Sequence, residues 1–168
     1  MQPERIPVEV DIERIALASR WADSAWRPVR LAPARDASGP AAATPVDAGA
    51  ALERWRRSGL AIELHPTEAE GYYLNLASPD PKAFVMWRAD DDRTPPVDIV
   101  VVTLSYHEAA RMLDGGEQVD AVPLDPALRA RLAPFVAEHY KPEPRRKVKR
   151  NDPFADGATT RDPARGRR

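Results

Sequence analysis

The fold is decided by residues Leu60 to Leu76, which read LAIELHPTEAEGYYLNL. From residue 60 to 64 apolar side chains alternate with small or polar ones, and the same alternation returns from residue 72 to 76. A period of two is typical of a half-buried β-strand, so each run is predicted to form one strand. Residues 66 to 71 form a short corner between them, and we expect the two strands to pair in antiparallel fashion.

The corner brings three chemically useful side chains together, because His65, Glu68 and Glu70 lie within six residues of chain. Two carboxylates and an imidazole suit a divalent ion, so a metal-binding or cofactor-handling enzyme is one hypothesis for this chain. The alternative is a solvated turn in which Thr67 and Glu68 satisfy local backbone amides. We favour the turn, since no second histidine has ligand spacing, and we predict no metal, no cofactor and no catalytic residue.

Further strands are predicted on both sides of this stretch. Residues 6 to 12 alternate cleanly, the apolar parity then changes as it would at a bulge near Arg14, and a second strand over 26 to 31 completes a hairpin. Residues 83 to 88 are apolar on both faces of a strand. The β-branched run from 97 to 104 is dense enough for the centre of a sheet that is covered on both sides.

Two helices are predicted after these strands. The first begins after Ser105, which forms a capping box with Glu108, and it ends at Asp114 because two glycines follow. The second begins after Asp125, an N-cap followed by a first-turn proline. Pro134 lies in the middle of this helix, which predicts a kink or a break near residues 130 to 134.

Two segments before Leu60 lack a strand pattern. From residue 32 to 51 the chain is rich in Ala and Pro without periodicity, which predicts a mobile surface insertion. Residues 52 to 57 have helical propensity, and the Ser-Gly pair that follows should end the helix. Together the patterns predict an α+β fold in a single domain over residues 1–140, with a mainly antiparallel sheet of about six strands and two helices packed on it.

Charge is distributed unevenly along the chain. Residues 141–168 hold ten basic and four acidic residues, a net charge of +6, and the totals of 25 and 26 leave −7 for residues 1–140. The C-terminal segment has few large apolar residues, so it is predicted to be a disordered basic tail. For its role we favour a solvated end over a docking segment for an acidic partner. A nucleic-acid-binding regulator is the least favoured hypothesis, since the acidic body would repel phosphate.

Composition also bounds the class of protein. The chain has no cysteine, which excludes disulfides and cysteine-based metal sites. Charged residues interrupt its first ten positions, unlike an export signal, and no apolar run reaches the roughly 18 residues of a membrane span. We therefore expect a cytoplasmic protein with no membrane partner, and its oligomeric state stays open.

Aromatic residues supply candidate contacts with another protein. Two tryptophans flank the tight turn of the predicted hairpin, and large aromatic side chains dominate binding hot spots. For the corner, contact with a partner is a better hypothesis than chemistry. The candidate partner-contact residues are therefore Trp21, Trp26, His65, Glu68, Tyr72 and Asn75.

Several motifs stand in a fixed order along the chain: the strand from Val8 to Arg14 with its two tryptophans, the segment from Leu64 to Leu76, the stretch from Val102 to Ala110, the Val122-Pro123-Leu124 step, and the close from Phe135 to His139 with Lys147 to Arg150. In this order and spacing they resemble an uncharacterised bacterial family that is catalogued as a domain of unknown function. The resemblance covers about residues 5 to 152 apart from the insertion. Members of that family are often encoded beside genes for molybdenum-dependent formate dehydrogenases.

The resemblance implies a role without a reaction. The family has no established reaction, so no catalytic residue is carried over, and the gene neighbourhood implies maturation, assembly or regulation of a molybdenum enzyme. We therefore expect a non-enzymatic accessory protein that binds a formate dehydrogenase subunit or a maturation factor. The insertion at 32–51 and the arginine-rich extension after Asp152 depart from the family pattern.

Overall fold

The computed structural model describes residues 3–18, 20–35, 41–49 and 52–142. In this part of the chain the strands are β1 Glu4–Ala16, β2 Ser24–Pro33, β3 Ala43–Gly49, β4 Leu52–Leu64, β5 Lys82–Ala89, β6 Val97–Thr103 and β7 Val119–Pro123. The helices are α1 Ala69–Ala77, α2 Tyr106–Asp114 and α3 Pro126–His139, and a 3-10 turn Pro66–Glu68 precedes α1. The α+β class is confirmed, but the described residues form seven strands in two antiparallel sheets, not one sheet of six, and three helices, not two.

The first sheet has the strand order β2-β1-β4-β3, and its β1–β2 hairpin confirms the prediction. The alternating apolar residues Ile6, Val8, Val10 and Ile12 of β1 are fully buried. The bulge predicted near Arg14 is wrong, because the register shifts between Asp11 and Ile12 and leaves Val29 of β2 without an opposite residue. Pro28 lies beside it and has no N–H to donate to the ladder, which makes this the natural place for the interruption.

The helix predicted over residues 52–57 is wrong, because these residues form the first half of β4. Ion pairs with β1 favour the strand: Arg56 lies opposite Asp11, and its Nε donates to Asp11 Oδ1 over 2.7 Å. Gly59 does not end the segment. Its φ of +76° lies in the left-handed region that glycine tolerates, and the register of β4 on β1 shifts next to it.

The segment over residues 32–51 is partly regular, which corrects the expectation of a structureless insertion. β3 pairs antiparallel with the first half of β4. Strand pairing overrides the weak local preference of its Ala and Pro residues, since the ladder satisfies backbone groups that composition alone does not reveal. Residues 36–40 and 50–51 lie outside the described residues, as do 143–168 of the predicted tail. Mobility of the insertion stays a prediction.

The second sheet has the strand order β6-β5-β7, so the expectation that β6 lies at its centre is wrong. β5 is the central strand, and its apolar residues are buried on both faces as predicted. One face joins the core through Val85, and on the other face Phe84 packs on Tyr106 of α2 with ring centroids 5.2 Å apart. β6 is an edge strand within the described residues, and its Val100 and Val101 are 39% and 37% exposed.

The strand predicted over residues 72–76 is wrong, because this segment belongs to α1. The side chains of Ala69, Tyr72 and Asn75 are buried and recur every three residues, which is a helical repeat. The apolar alternation was misleading, since Leu74 is 43% exposed. Pro66 begins the turn into the helix, where its missing N–H costs nothing.

Both predicted helices are confirmed as α2 and α3. α2 ends at Asp114 as expected, and the Asp125 side chain caps α3 by accepting from the Ala127 amide at 2.8 Å. Of the kink or break predicted near Pro134, the break is wrong, because α3 runs unbroken through it, and the kink stays a prediction. Burial of four large side chains on one face, at about 1.5 to 3 kcal/mol each, exceeds the cost of roughly 3 kcal/mol for an internal proline.

The hydrophobic core is shared by both sheets. Side chains of β1, β2 and β4 meet those of β5, β6 and β7, and α1 and α3 pack against the same cluster. β4 lies beside β6 where the two sheets meet, and β2 lies beside β7. No helix in the described part of the chain is long and apolar enough to cross a membrane.

Candidate functional site

The corner after β4 packs against the start of α2, and we call this contact the α1–α2 junction. Glu68 joins the two parts, because its carboxylate accepts from the Ser105 hydroxyl at 2.8 Å and from the Arg111 guanidinium at 2.6 Å. Gly71 allows the close approach, since a Cβ at this position would collide with the Ser105 hydroxyl. The prediction that Glu68 satisfies local amides of a solvated turn is therefore wrong.

The capping box of α2 is confirmed in one half only. The Ser105 hydroxyl accepts from the Glu108 amide at 3.2 Å, as predicted. The expected return bond from the Glu108 carboxylate to the Ser105 amide is replaced by a chain through Thr103. The Ser105 amide donates to the Thr103 hydroxyl at 3.1 Å, and that hydroxyl donates to the Glu108 carboxylate. The start of α2 is thus fixed to the last residue of β6.

Asn75 connects three elements from a fully buried position. Its Nδ2 donates to the carbonyls of Lys82 at 2.6 Å and Leu104 at 2.8 Å, and its Oδ1 accepts from the Lys82 amide at 2.9 Å. These bonds attach α1 to the start of β5 and to the residue after β6. Asn75 has no exposed side-chain surface, so its place among the candidate partner contacts is corrected to a structural role.

Tyr72 is also fully buried and is removed from the candidate partner contacts for the same reason. Its hydroxyl accepts from the His65 amide at 3.2 Å and donates to the Glu63 carbonyl at 3.4 Å. Its ring packs edge-on against Phe135 with centroids 5.9 Å apart. Burial raises the pKa of the Tyr72 phenol to about 12. The phenol therefore stays protonated near neutral pH and anchors the end of β4.

The three side chains of the corner do not converge. His65 Nε2 lies 3.9 Å from a carboxylate oxygen of Glu63, Glu68 is bound to Ser105 and Arg111, and Glu70 is exposed. Among the described residues no group of three or more His, Asp or Glu side chains is arranged to hold a metal ion. The geometry therefore gives no support to the metal-binding hypothesis for this corner.

The two tryptophans differ in exposure. Trp21, in the connection between β1 and β2, is 88% exposed. Trp26 is half-buried in β2 and packs against the core. Contact of either residue with a partner stays a prediction.

A groove of about 360 Å³ separates β4 from β6, and we call it the β4–β6 groove. It is lined by residues 59–61, Glu63 and His65 on one side and by residues 100–102 and Glu108 on the other. β3 pairs only with the first half of β4, and β6 pairs only with β5 among the described strands. Beyond the Ser58 amide, which donates to the Ala42 carbonyl, no described strand pairs with the two edges that border the groove.

Both strands are irregular at the groove. Gly59 of β4 has a positive φ, and the pairing of β6 with β5 skips Val100. The skipped residue leaves Val100 and Val101 exposed side by side. The sequence carries no signal for these two valines, because alternation of burial along a regular strand cannot reveal two exposed neighbours, and Glu63 reads there as an ordinary polar residue of a strand.

The described lining of the β4–β6 groove carries carboxylates without a matching Lys or Arg. It contains the carboxylates of Glu63 and Glu108 and the imidazole of His65. Near the start of β6, the Arg57 guanidinium donates to the Val97 carbonyl at 3.0 Å. Burial, followed by the positive charge of Arg93, lowers the pKa of Arg57. The groove is therefore acidic where it approaches the α1–α2 junction.

A family model described as "Protein of unknown function (DUF3305)" matches residues 7–149. This span includes both strand edges of the β4–β6 groove and the whole α1–α2 junction. No curated protein and no solved structure matches the chain.

Proposed function

The chain belongs to this family of unknown function, and we propose that it is a non-enzymatic accessory protein that acts by binding another protein. The observation that carries the proposal is the β4–β6 groove, where two exposed valines of β6 lie on a strand edge that no described strand covers. Exposed apolar surface with a polar rim is typical of protein-binding sites, and an unpaired strand edge offers backbone groups to a partner.

The α1–α2 junction supports this function by holding the groove in shape. The bonds from Thr103 to Glu108 and from Ser105 to Glu68 fix the end of β6 relative to the residues that follow β4. A binding surface on fixed elements loses less conformational entropy when a partner docks. The polar side chains of the junction are thus used to position the groove.

The proposed partner is a subunit of a molybdenum-dependent formate dehydrogenase or a factor that matures it. This part of the proposal is supported by the family resemblance and its gene neighbourhood. The accessory role in maturation, assembly or regulation follows from the same source.

The test is affinity purification of a tagged full-length chain from its own cell, with a Val101→Ser variant beside it and a Leu113→Ser variant as control. Leu113 is 55% exposed on α2 and does not line the groove. We expect the wild-type chain and the control to recover a formate dehydrogenase subunit or maturation factor, and Val101→Ser to recover much less. Recovery of neither class of protein by the wild-type chain would contradict the proposed partner.

A further inference from the structure

We infer that the β4–β6 groove binds an extended segment of the partner in which lysine or arginine lies next to an aliphatic residue. This inference rests on the proposed function and names the chemistry that the partner must offer.

The apolar part of the recognition comes from β6. Val100 and Val101 are more than a third exposed, although the rest of their strand is largely buried. They lie next to each other on an edge that no described strand covers. An aliphatic side chain of a bound segment would remove their surface from water.

The extended shape of the occupant follows from the backbone. Residues 60–64 of β4 lie beyond the stretch that pairs with β3, and the outer edge of β6 has no partner strand in the described structure. Extended peptides bind such edges through main-chain hydrogen bonds and gain specificity from pockets for alternate side chains. The irregularities at Gly59 and Val100 interrupt both edges, so the bound segment is short.

The charge of the occupant follows from the lining. Glu63 and Glu108 contribute two carboxylates, and none of the described lining residues is Lys or Arg. The Glu63 side chain is 52% exposed, and the His65 imidazole lies 3.9 Å from its carboxylate. A lysine or arginine of the bound segment would supply the missing positive charge, and an acidic segment would be repelled.

The test measures binding of a short fluorescein-labelled peptide of alternating lysine and valine to the full-length chain by fluorescence anisotropy. Two matched peptides keep one property each: lysine alternating with serine, and glutamate alternating with valine. We expect the lysine–valine peptide to bind best and to lose affinity as salt is added. Equal binding of the lysine–serine peptide would overturn the inference, because attraction would then be purely electrostatic.

Substitutions inside and outside the groove test whether the peptide binds there. Glu63→Lys should lower the affinity for the lysine–valine peptide by about tenfold or more, since the change replaces attraction by repulsion. Val101→Ser should lower this affinity by several-fold. Glu70→Lys and Leu113→Ser make the same changes elsewhere on the surface and should bind as the wild-type chain does. Circular dichroism of each variant checks that the fold is kept. Equal loss in the control variants, or no loss in Glu63→Lys, would overturn the inference.

The outcomes separate this inference from the proposed function. If a formate dehydrogenase subunit is captured equally well by Glu63→Lys and Val101→Ser, the partner does not bind in the groove. This result would overturn the inference and still support the accessory role. Peptide binding in the groove without capture of such a subunit would support the inferred binding site and contradict the proposed partner. Binding seen only after removal of residues 141–168 would overturn the inference by assigning the groove to the chain's own basic segment.

Discussion

Replacement of Asn75 by alanine should be among the most destabilising single changes in this protein. The side chain is fully buried and makes three hydrogen bonds, two to the backbone of Lys82 and one to the carbonyl of Leu104. A buried polar group that loses its partner costs about 1 to 3 kcal/mol. Lys82 is only half-buried, so water can recover part of the loss there. We expect a total loss of about 3 to 5 kcal/mol, against a typical domain stability of roughly 5 to 15 kcal/mol.

Urea unfolding followed by tryptophan fluorescence measures this loss, because Trp87 is buried in the core and reports its opening. The control is Leu74→Ala, which removes a larger side chain from the same helix at a position that is 43% exposed. It should cost less than about 1 kcal/mol. A cost below about 1 kcal/mol for Asn75→Ala as well would show that the three bonds do not hold α1 to the sheet.

Three further changes test other parts of the fold. Asp11 is 3% exposed, and Asp11→Ala removes the carboxylate that binds Arg56. Urea unfolding should show a loss of about 2 to 3 kcal/mol in the free energy of unfolding. This is below the usual value of about 3 to 5 kcal/mol for a broken buried pair, because the Arg56 guanidinium reaches solvent. A loss near zero would show that the pair contributes nothing. Gly71→Ala gains roughly 1 kcal/mol of helix propensity but displaces the Ser105 cap and crowds the junction. Its thermal midpoint should therefore fall, and a rise would show that propensity dominates. Tyr72→Phe should remove a tyrosinate that appears near pH 12 in ultraviolet absorbance. Because the folded-state pKa is raised above the unfolded value of about 10, this group's contribution to stability is complete below pH 10 and is lost as pH rises through about 12; unchanged titration in Tyr72→Phe would refute the assignment.

Elements with a complete local signal were predictable from the sequence. The alternation in β1 and the apolar run of β5 identified two strands, and the caps at Ser105 and Asp125 located the starts of α2 and α3. These signals depend on residues a few positions apart. They act through backbone geometry and local hydrogen bonds, which are the same in any fold.

The candidate site was predictable only in part. His65 and Glu68 were identified as residues of interest, but their roles were not, because the partners of Glu68 are contributed by α2. Tyr72 and Asn75 were placed at the surface, whereas the structure buries them. Residues 72 to 76 show a period of two, which predicts a strand, but Ala69, Tyr72 and Asn75 also form a three-residue repeat, which is helical. The segment forms a helix because these three residues are the ones buried.

The sequence by itself determined the class of fold, the strands and helices that carry their own periodicity or caps, and the acidic character of residues 1–140. Only the tertiary structure decided that residues 52–57 extend β4, that β6 is an edge strand, and that the two sheets leave a groove between them. The reason is physical: strand pairing and edge exposure depend on backbone bonds between segments that are far apart in the chain, such as residues 10–14 of β1 and residues 53–57 of β4. Local propensity is too weak to encode them, at about 1 kcal/mol or less per residue.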